Sequence, residues 1–508
     1  MTIRILQKVL PLLVALFVFP LPLPAAVSLG SLFQDHAVLQ QEMKVPIWGK
    51  ADPDEEVTVS FREQSVSTKA DAQGRWRVEL APMKFSAEPA ELIVKGSNII
   101  TLKDILIGEV WLCSGQSNME WRLEKSDGGK AAAAEADLPG IRHFKVQKIG
   151  SDHPLDTVSG KWVVARPSSA GGFTAVGFYF ARDIHKQLGI PVGIVQNAFS
   201  GSQIEPWLSD AAFQSNPRFA PILQRYNELL AKVPEAKAAY PEKLAAWEKE
   251  RDAAKAAGTP FTTKQPYPPA GPGSDNWAAA FYNSMTHPIA GYGIRGALWY
   301  QGESNLGREQ EYRDLLPALI TSWRQEWKQG DFPFYIVQLP SYGSKPEVWA
   351  RFREAQASAL SLPHTGMAVT IDIGRGTENL HPTNKLDVGL RLAAIAKANI
   401  YKVPNTEFSG PLFSKAEKDG TALRVTFTHA DGMTPHGEKL TGFEIAGADK
   451  KYVAAEAKIE SNGTILVWSP GVTDPIFIRY DWAVPEANLY NSANLPAAPF
   501  RSDGPGIK

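Results

Sequence analysis

Cysteine is almost missing: Cys113 is the only one in 508 residues, which excludes an internal disulfide framework and any cysteine-built zinc site. An excess of either charge is missing too. Lys and Arg total 53 against 54 Asp and Glu, a balance that provides no global field for drawing in DNA, RNA or an anionic membrane. No H-E-x-x-H or other compact metal-ligand spacing occurs, so neither a metal nor another cofactor is expected. There is no repeat of fixed period, and no low-complexity tract beyond one Pro-rich stretch. The apolar run 9–19 is too short to span a bilayer comfortably, and Pro11, Pro20, Pro22 and Pro24 weaken it further as a helix.

What is present is an ordinary globular composition, 44% apolar and 21% charged, on a chain long enough for two or more domains. Residues 1–26 carry Arg4 and Lys8, then the apolar run, then small residues at Ala25 and Ala26. That pattern predicts a cleaved signal peptide, and so an exported protein, periplasmic or secreted. Residues 27–104 alternate short β-favouring runs (45–48, 57–61, 76–80, 92–94) with turns such as Asp71-Ala-Gln-Gly74, the pattern of a small antiparallel β-domain.

From 105 to about 402 the pattern changes to longer apolar strands separated by amphipathic helices, as in a mostly parallel α/β sheet. Strands are predicted at 105–112, 192–197, 297–300, 334–339 and 367–371, and helices at 174–188, 309–328, 350–360 and 385–399. An insertion at about 208–275 interrupts this core. Its Ala/Lys/Glu-rich part, 220–258, predicts a surface helical hairpin, and 260–273 an extended Pro-rich linker. Residues 403–508 return to β-text, with strands predicted at 423–428, 443–445, 465–468 and 477–480.

In an open parallel sheet, ligands meet the loops leaving the carboxyl ends of the strands. Here those loops read Ser114-Gly-Gln-Ser-Asn-Met119, Ala198-Phe-Ser-Gly-Ser202, Gln301-Gly-Glu-Ser-Asn305 and Asn379-Leu-His-Pro382. A serine hydroxyl becomes a nucleophile only beside a base, and the oxyanion it creates needs fixed N–H donors. Ser117, on a Gly-containing turn after a buried strand, has that setting. Met119 occupies the place where a G-x-S-x-G elbow requires Gly, which disfavours an α/β-hydrolase. Taken alone, Ser117 is a turn serine; four blocks in order at four strand ends carry the inference. His143, His153, His185, His364 and His429 lack such a setting and read as surface or packing residues, whereas Trp207, beside the second loop, is expected to line the pocket.

Gly115-Gln-Ser-Asn-Met119, Trp299-Tyr-Gln-Gly-Glu-Ser-Asn305 and His381-Pro-Thr-Asn-Lys385 resemble the sialate O-acetylesterase family of SGNH hydrolases. The resemblance extends to Val38-Leu-Gln40, Ile47-Trp-Gly49, Phe281-Tyr-Asn-Ser-Met285, Asn488-Leu-Tyr-Asn491 and Pro499-Phe-Arg501, nearly the whole mature chain. It implies an SGNH-like (flavodoxin-like) three-layer α/β core between two β-rich regions, and a serine esterase that removes O-acetyl groups from carbohydrate. O-acetylated sialic acid is the leading substrate, with acetylxylan or another acetylated polysaccharide as the alternative. A non-catalytic carbohydrate-binding protein is the reading from another class.

By the same resemblance Ser117 is the nucleophile and His381 the general base, with oxyanion donors from the N–H groups of Ser117 and Gly201. Ser304 stands where the family's wider pattern has Asn, so the third donor is Gln301 or Asn305, of which Gln301 is favoured. The acid behind His381 stays open between Glu378, three residues before it, Asp372 at the fifth strand's end, and a dyad held by a backbone carbonyl. The only partner expected is the acetylated glycan.

Overall fold

The computed structural model describes residues 26–342, 346–374, 379–482 and 487–504. All but the last residue of the expected signal peptide, and Glu378, lie outside the described residues.

The central sheet runs in the order Trp162–Ala165, Leu138–Lys145, Val192–Ala198, Ile99–Gly115, Gly296–Tyr300, Phe334–Val337, Thr365–Ala368. All are mutually parallel except the edge strand Trp162–Ala165, which is antiparallel to its neighbour. Val192–Ala198 and Gly296–Tyr300 are buried at every position, as apolar strands covered on both faces must be. The helices Ala175–Leu188, Glu309–Trp327, Pro346–Ala357 and Leu386–Asn399 fall close to their predicted positions. Two strands were not anticipated. Leu138–Lys145 opens on Leu138-Pro-Gly140, which breaks a strand pattern, and Trp162–Ala165 is a short edge. The fifth predicted strand is shorter than its apolar run, because Val369 and Ile371 leave the sheet to join the C-terminal core.

The strand Ile99–Gly115 belongs to two sheets. Its first half pairs with Ser86–Lys95 and Val38–Gln40 of the N-terminal β-region, and its second half with the strands that carry the site. The boundary expected between 104 and 105 falls inside it. Accordingly one apolar core holds Val59 and Trp76 of the N-terminal region together with Trp111 and Leu298 of the central sheet. The C-terminal region has a separate core, built around Val425, Ile445, Val467 and Ile478. Its strands Ala422–Thr428, Phe443–Ala446, Ile465–Trp468 and Phe477–Tyr480 lie where the alternation placed them.

The insertion is not a helical hairpin. Ala220–Ala256 is a single helix of 37 residues that continues through Pro234 and Pro241, and the chain returns along it in extended form. The reason is local: no glycine interrupts 220–257, and the first left-handed stop is Gly258. On the return, the Thr263 carbonyl accepts a hydrogen bond from Trp247 Nε1 at 2.8 Å, and Phe261 packs edge-on against the Trp247 ring.

Candidate active site

Ala198, Gly115 and Tyr300 are in register across three adjacent strands, so three loops leave the sheet at one level. Gly115 is required there. Its φ is +131°, and a Cβ would lie 2.1 Å from the Tyr300 carbonyl oxygen, which also accepts the Gln116 N–H at 2.9 Å. This close approach turns the chain into the short helix Ser117–Glu120, with Ser117 at the first position, ahead of any intrahelical bond to its N–H.

His381 reaches this turn from the segment that follows the last parallel strand, Thr365–Ala368. Its Nε2 lies 2.7 Å from Ser117 Oγ, and its backbone N–H donates to Asn379 Oδ1 at 2.9 Å. The ring stacks on Trp121, with centroids 5.5 Å apart and planes 19° from parallel. Burial and the nearby Lys385 ammonium both disfavour the imidazolium and hold the His381 pKa below the usual histidine value, so the ring is predominantly a free base at neutral pH.

Gly201 sits at φ +77° with open space where a Cβ would be, and no hydrogen bond to its N–H is found among the described residues. The loop is anchored on both sides. Glu120 Oε2 accepts from the Ser200 N–H and hydroxyl at 3.1 and 2.5 Å, and Asn276 Oδ1 accepts the Gln203 N–H at 2.8 Å.

Gln301 does not supply the third donor as the sequence suggested. Its Nε2 donates to the Ser202 carbonyl at 3.0 Å and to Asn305 Oδ1 at 2.8 Å, while Tyr312 donates to its Oε1 at 2.9 Å. Both amide hydrogens are engaged in a fully buried brace between two loops. Asn305 is equally committed: its Nδ2 donates to Glu205 Oε2 at 2.8 Å and its Oδ1 accepts the Ile204 N–H at 2.9 Å. Glu205, fully buried, is neutralised by Arg308 and Arg225.

Asp372 is directed elsewhere. Both its carboxylate oxygens pair with Arg391, at 2.7 and 2.6 Å, and Tyr490 donates to it at 3.3 Å, so it is a structural ion pair and not the acid behind His381. Glu378 lies outside the described residues. Trp207 is fully buried, donating from Nε1 to Ser202 Oγ at 3.1 Å and packing edge-on against Trp299; it supports the loop from beneath and does not line a pocket. The aromatic ring at the site is Trp121 instead. His143 behaves as a packing residue: it is buried, bonded to Gln196 at 2.9 Å and driven by burial to a pKa of about 3.

A serine hydroxyl in hydrogen-bond contact with an imidazole, at the carboxyl edge of a parallel sheet, defines a serine hydrolase. A family model for sialic acid-specific acetylesterases, a class of carbohydrate esterase, matches residues 107–247 and 270–397, more than half of the chain. The chain belongs to that family, and its reaction is ester hydrolysis on O-acetylated carbohydrate. The unmatched stretch between the two segments covers the far end of the long helix and the start of its return.

The sialate O-acetylesterase of Mus musculus is 28% identical over 524 residues, covering 93% of each chain. That of Homo sapiens is 28% identical over 562 residues, covering 98% of each. A crystal structure of a carbohydrate acetylesterase from Xanthomonas citri is 34% identical, with a TM-score of 0.78 over 94% of this chain and 100% of the other.

Proposed function

We propose that the chain is an exported sialate O-acetylesterase on an SGNH-type core, working by two-step acyl transfer. The observation that carries this reading is the 2.7 Å contact between His381 Nε2 and Ser117 Oγ. Ser117 Oγ attacks the acetyl carbonyl carbon while His381 takes its proton, and the N–H groups of Ser117 and Gly201 hold the oxyanion. The bond to the sugar oxygen then breaks, and His381 returns the proton to that oxygen. Water, deprotonated by His381, attacks the acetyl-serine, and the bond to Ser117 Oγ breaks as His381 returns the proton to that oxygen, releasing acetate.

Sialic acid is favoured among acetylated sugars by the family description and by the near full-length match to two sialate O-acetylesterases. The cavity we assign to the glycan, about 540 Å³ and lined by Gln203, Arg225, Tyr226, Trp277 and Arg308 among others, meets the loop of Gly201 at Gln203. Trp277 is half-buried there with its ring edge-on to Tyr226, leaving an aromatic surface suited to a sugar ring.

Acetate release from O-acetylated sialic acid and from acetylated xylan tests the choice, and faster release from xylan overturns it. In the same assay Trp277→Ala is expected to raise KM for the glycan by about tenfold with turnover of 4-nitrophenyl acetate unchanged, the loss of binding without loss of chemistry. Export is read from residues 1–26 alone. Mass spectrometry of the protein recovered outside the cytoplasm should give an N-terminus near Val27; an intact Met1 refutes cleavage.

A further inference from the structure

Beneath the Ser117–His381 pair lies a buried polar cluster that this chemistry does not use. Lys385, with no exposed surface, donates from Nζ to Asn118 Oδ1 at 2.5 Å. Asn118 Nδ2 donates in turn to Glu303 Oε1 at 2.5 Å and to the Leu380 carbonyl at 3.1 Å. One carboxamide therefore bridges an ammonium and a carboxylate, and it joins the loop of the nucleophile, the loop after Tyr300 and the loop of the histidine. The ammonium also lies 5.8 Å from the centroid of the Trp121 ring, which stacks on His381, and 5.2 Å from that of Tyr300.

We propose that Lys385 is a positioning residue for this esterase, whose bond to Asn118 fixes the nucleophile's turn against the histidine loop and whose buried charge sits beside the ring that stacks on the general base. The proposal rests on the Ser117–His381 reading.

The geometry sets the sign of the effect. A cation beside the indole on which an imidazole stacks disfavours a second cation there, so the base remains available as the pH falls toward the usual histidine range. Among the described residues His381 is faced by Trp121, by the Ser117 hydroxyl and, on its own loop, by Asn379 and Lys385. Glu303 and Asp127 act on Lys385 in the opposite sense. They favour its charge, while burial presses its pKa down to about 7. On the acid side of that value the ammonium is charged, which is where its effect on His381 is read. Burial raises the Glu303 pKa, and the Asn118 bond and Lys385 oppose that shift.

The test is the pH dependence of kcat/KM on an acetyl ester for Lys385→Met, Lys385→Gln and Lys385→Arg, with circular dichroism to confirm the fold. Met and Gln remove the charge, and Gln retains a donor for Asn118. Both are expected to move the acid limb to higher pH and to lower plateau kcat by about tenfold, with KM within about twofold of the parent. Arg keeps the charge and should leave the limb in place. A folded neutral variant whose limb and plateau coincide with those of the parent overturns the proposal. If Ser117→Ala retains turnover, the underlying reading fails; if it is inactive and the Lys385 profiles are unchanged, only the role of Lys385 fails.

Discussion

Ser117→Ala and His381→Ala are each expected to lower turnover of acetyl esters by at least about 10,000-fold, and the double variant to be no slower than the worse single. The reason is the 2.7 Å contact between the two side chains. Without the hydroxyl no acetyl-enzyme forms, and without the imidazole the hydroxyl keeps its proton, so either loss removes the whole covalent route. The oxyanion donors are backbone N–H groups and survive both substitutions, which sets the residual rate. The checks are turnover on 4-nitrophenyl acetate and mass spectrometry for the acetyl adduct. Near-parental turnover by Ser117→Ala would eliminate the serine mechanism.

The second large effect concerns the group that orients His381. The acid we propose for this role is Glu378, three residues before His381 in the sequence. Glu378→Gln keeps the size but offers an amide able to hold the wrong tautomer, so kcat should fall by roughly 100- to 10,000-fold with KM little changed. Asp372→Asn should behave oppositely. Breaking its paired contact with Arg391 is expected to cost about 3 kcal/mol of stability while leaving kcat of the folded protein near the parent value. Denaturant midpoints and kcat for both variants separate the roles. Two mild kinetic effects would leave a serine–histidine dyad.

The site was legible where chemistry and register coincide. Ser117 and His381 stand out because a nucleophile and a base each follow an apolar strand, and the parallel sheet brings such strand ends to one edge. Donor assignment was not legible in the same way. Gln301 has the right group in the right loop, but a carboxamide donates to whatever lies within reach, and the sequence does not reveal that Ser202, Asn305 and Tyr312 enclose it. Trp207 was misplaced for a similar reason: it and Trp121 both border catalytic loops, and only packing decides which face of the loop a ring takes. Asn118, Glu303 and Lys385 stood inside the quoted blocks. What marks them out is their mutual contact, which no spacing of 118, 303 and 385 encodes.

The fold divides along the same line. Strands with strict alternation in the terminal regions, such as Arg75–Leu80, were found because alternate burial leaves a period of two in the text. Leu138–Lys145 was hidden by Pro139 and Gly140, and the single long helix by two prolines that look like breaks but fall within an otherwise unbroken helical stretch.

The strand Ile99–Gly115 bears on how the parts of the chain depend on one another. Because the segment that ends in the nucleophile's turn begins as a rung of the N-terminal sheet, the amino-terminal region is not a detachable module hung on an autonomous enzyme. A cut at the compositional boundary would sever a backbone ladder midway and expose the apolar side of Val59 and Trp76 that faces the same core. The carboxy-terminal region has its own interior, which Val369 and Ile371 enter on the descent from the last parallel strand, and it is tied to the central region by Asp481 with Ser341 and Arg353, by Tyr490 with Asp372 and by Arg501 with Glu354. The amino-terminal region is therefore joined to the central one by a continuous backbone ladder and a shared interior, and the carboxy-terminal region by side-chain ties around a separate interior, although both look equally peripheral in the linear sequence.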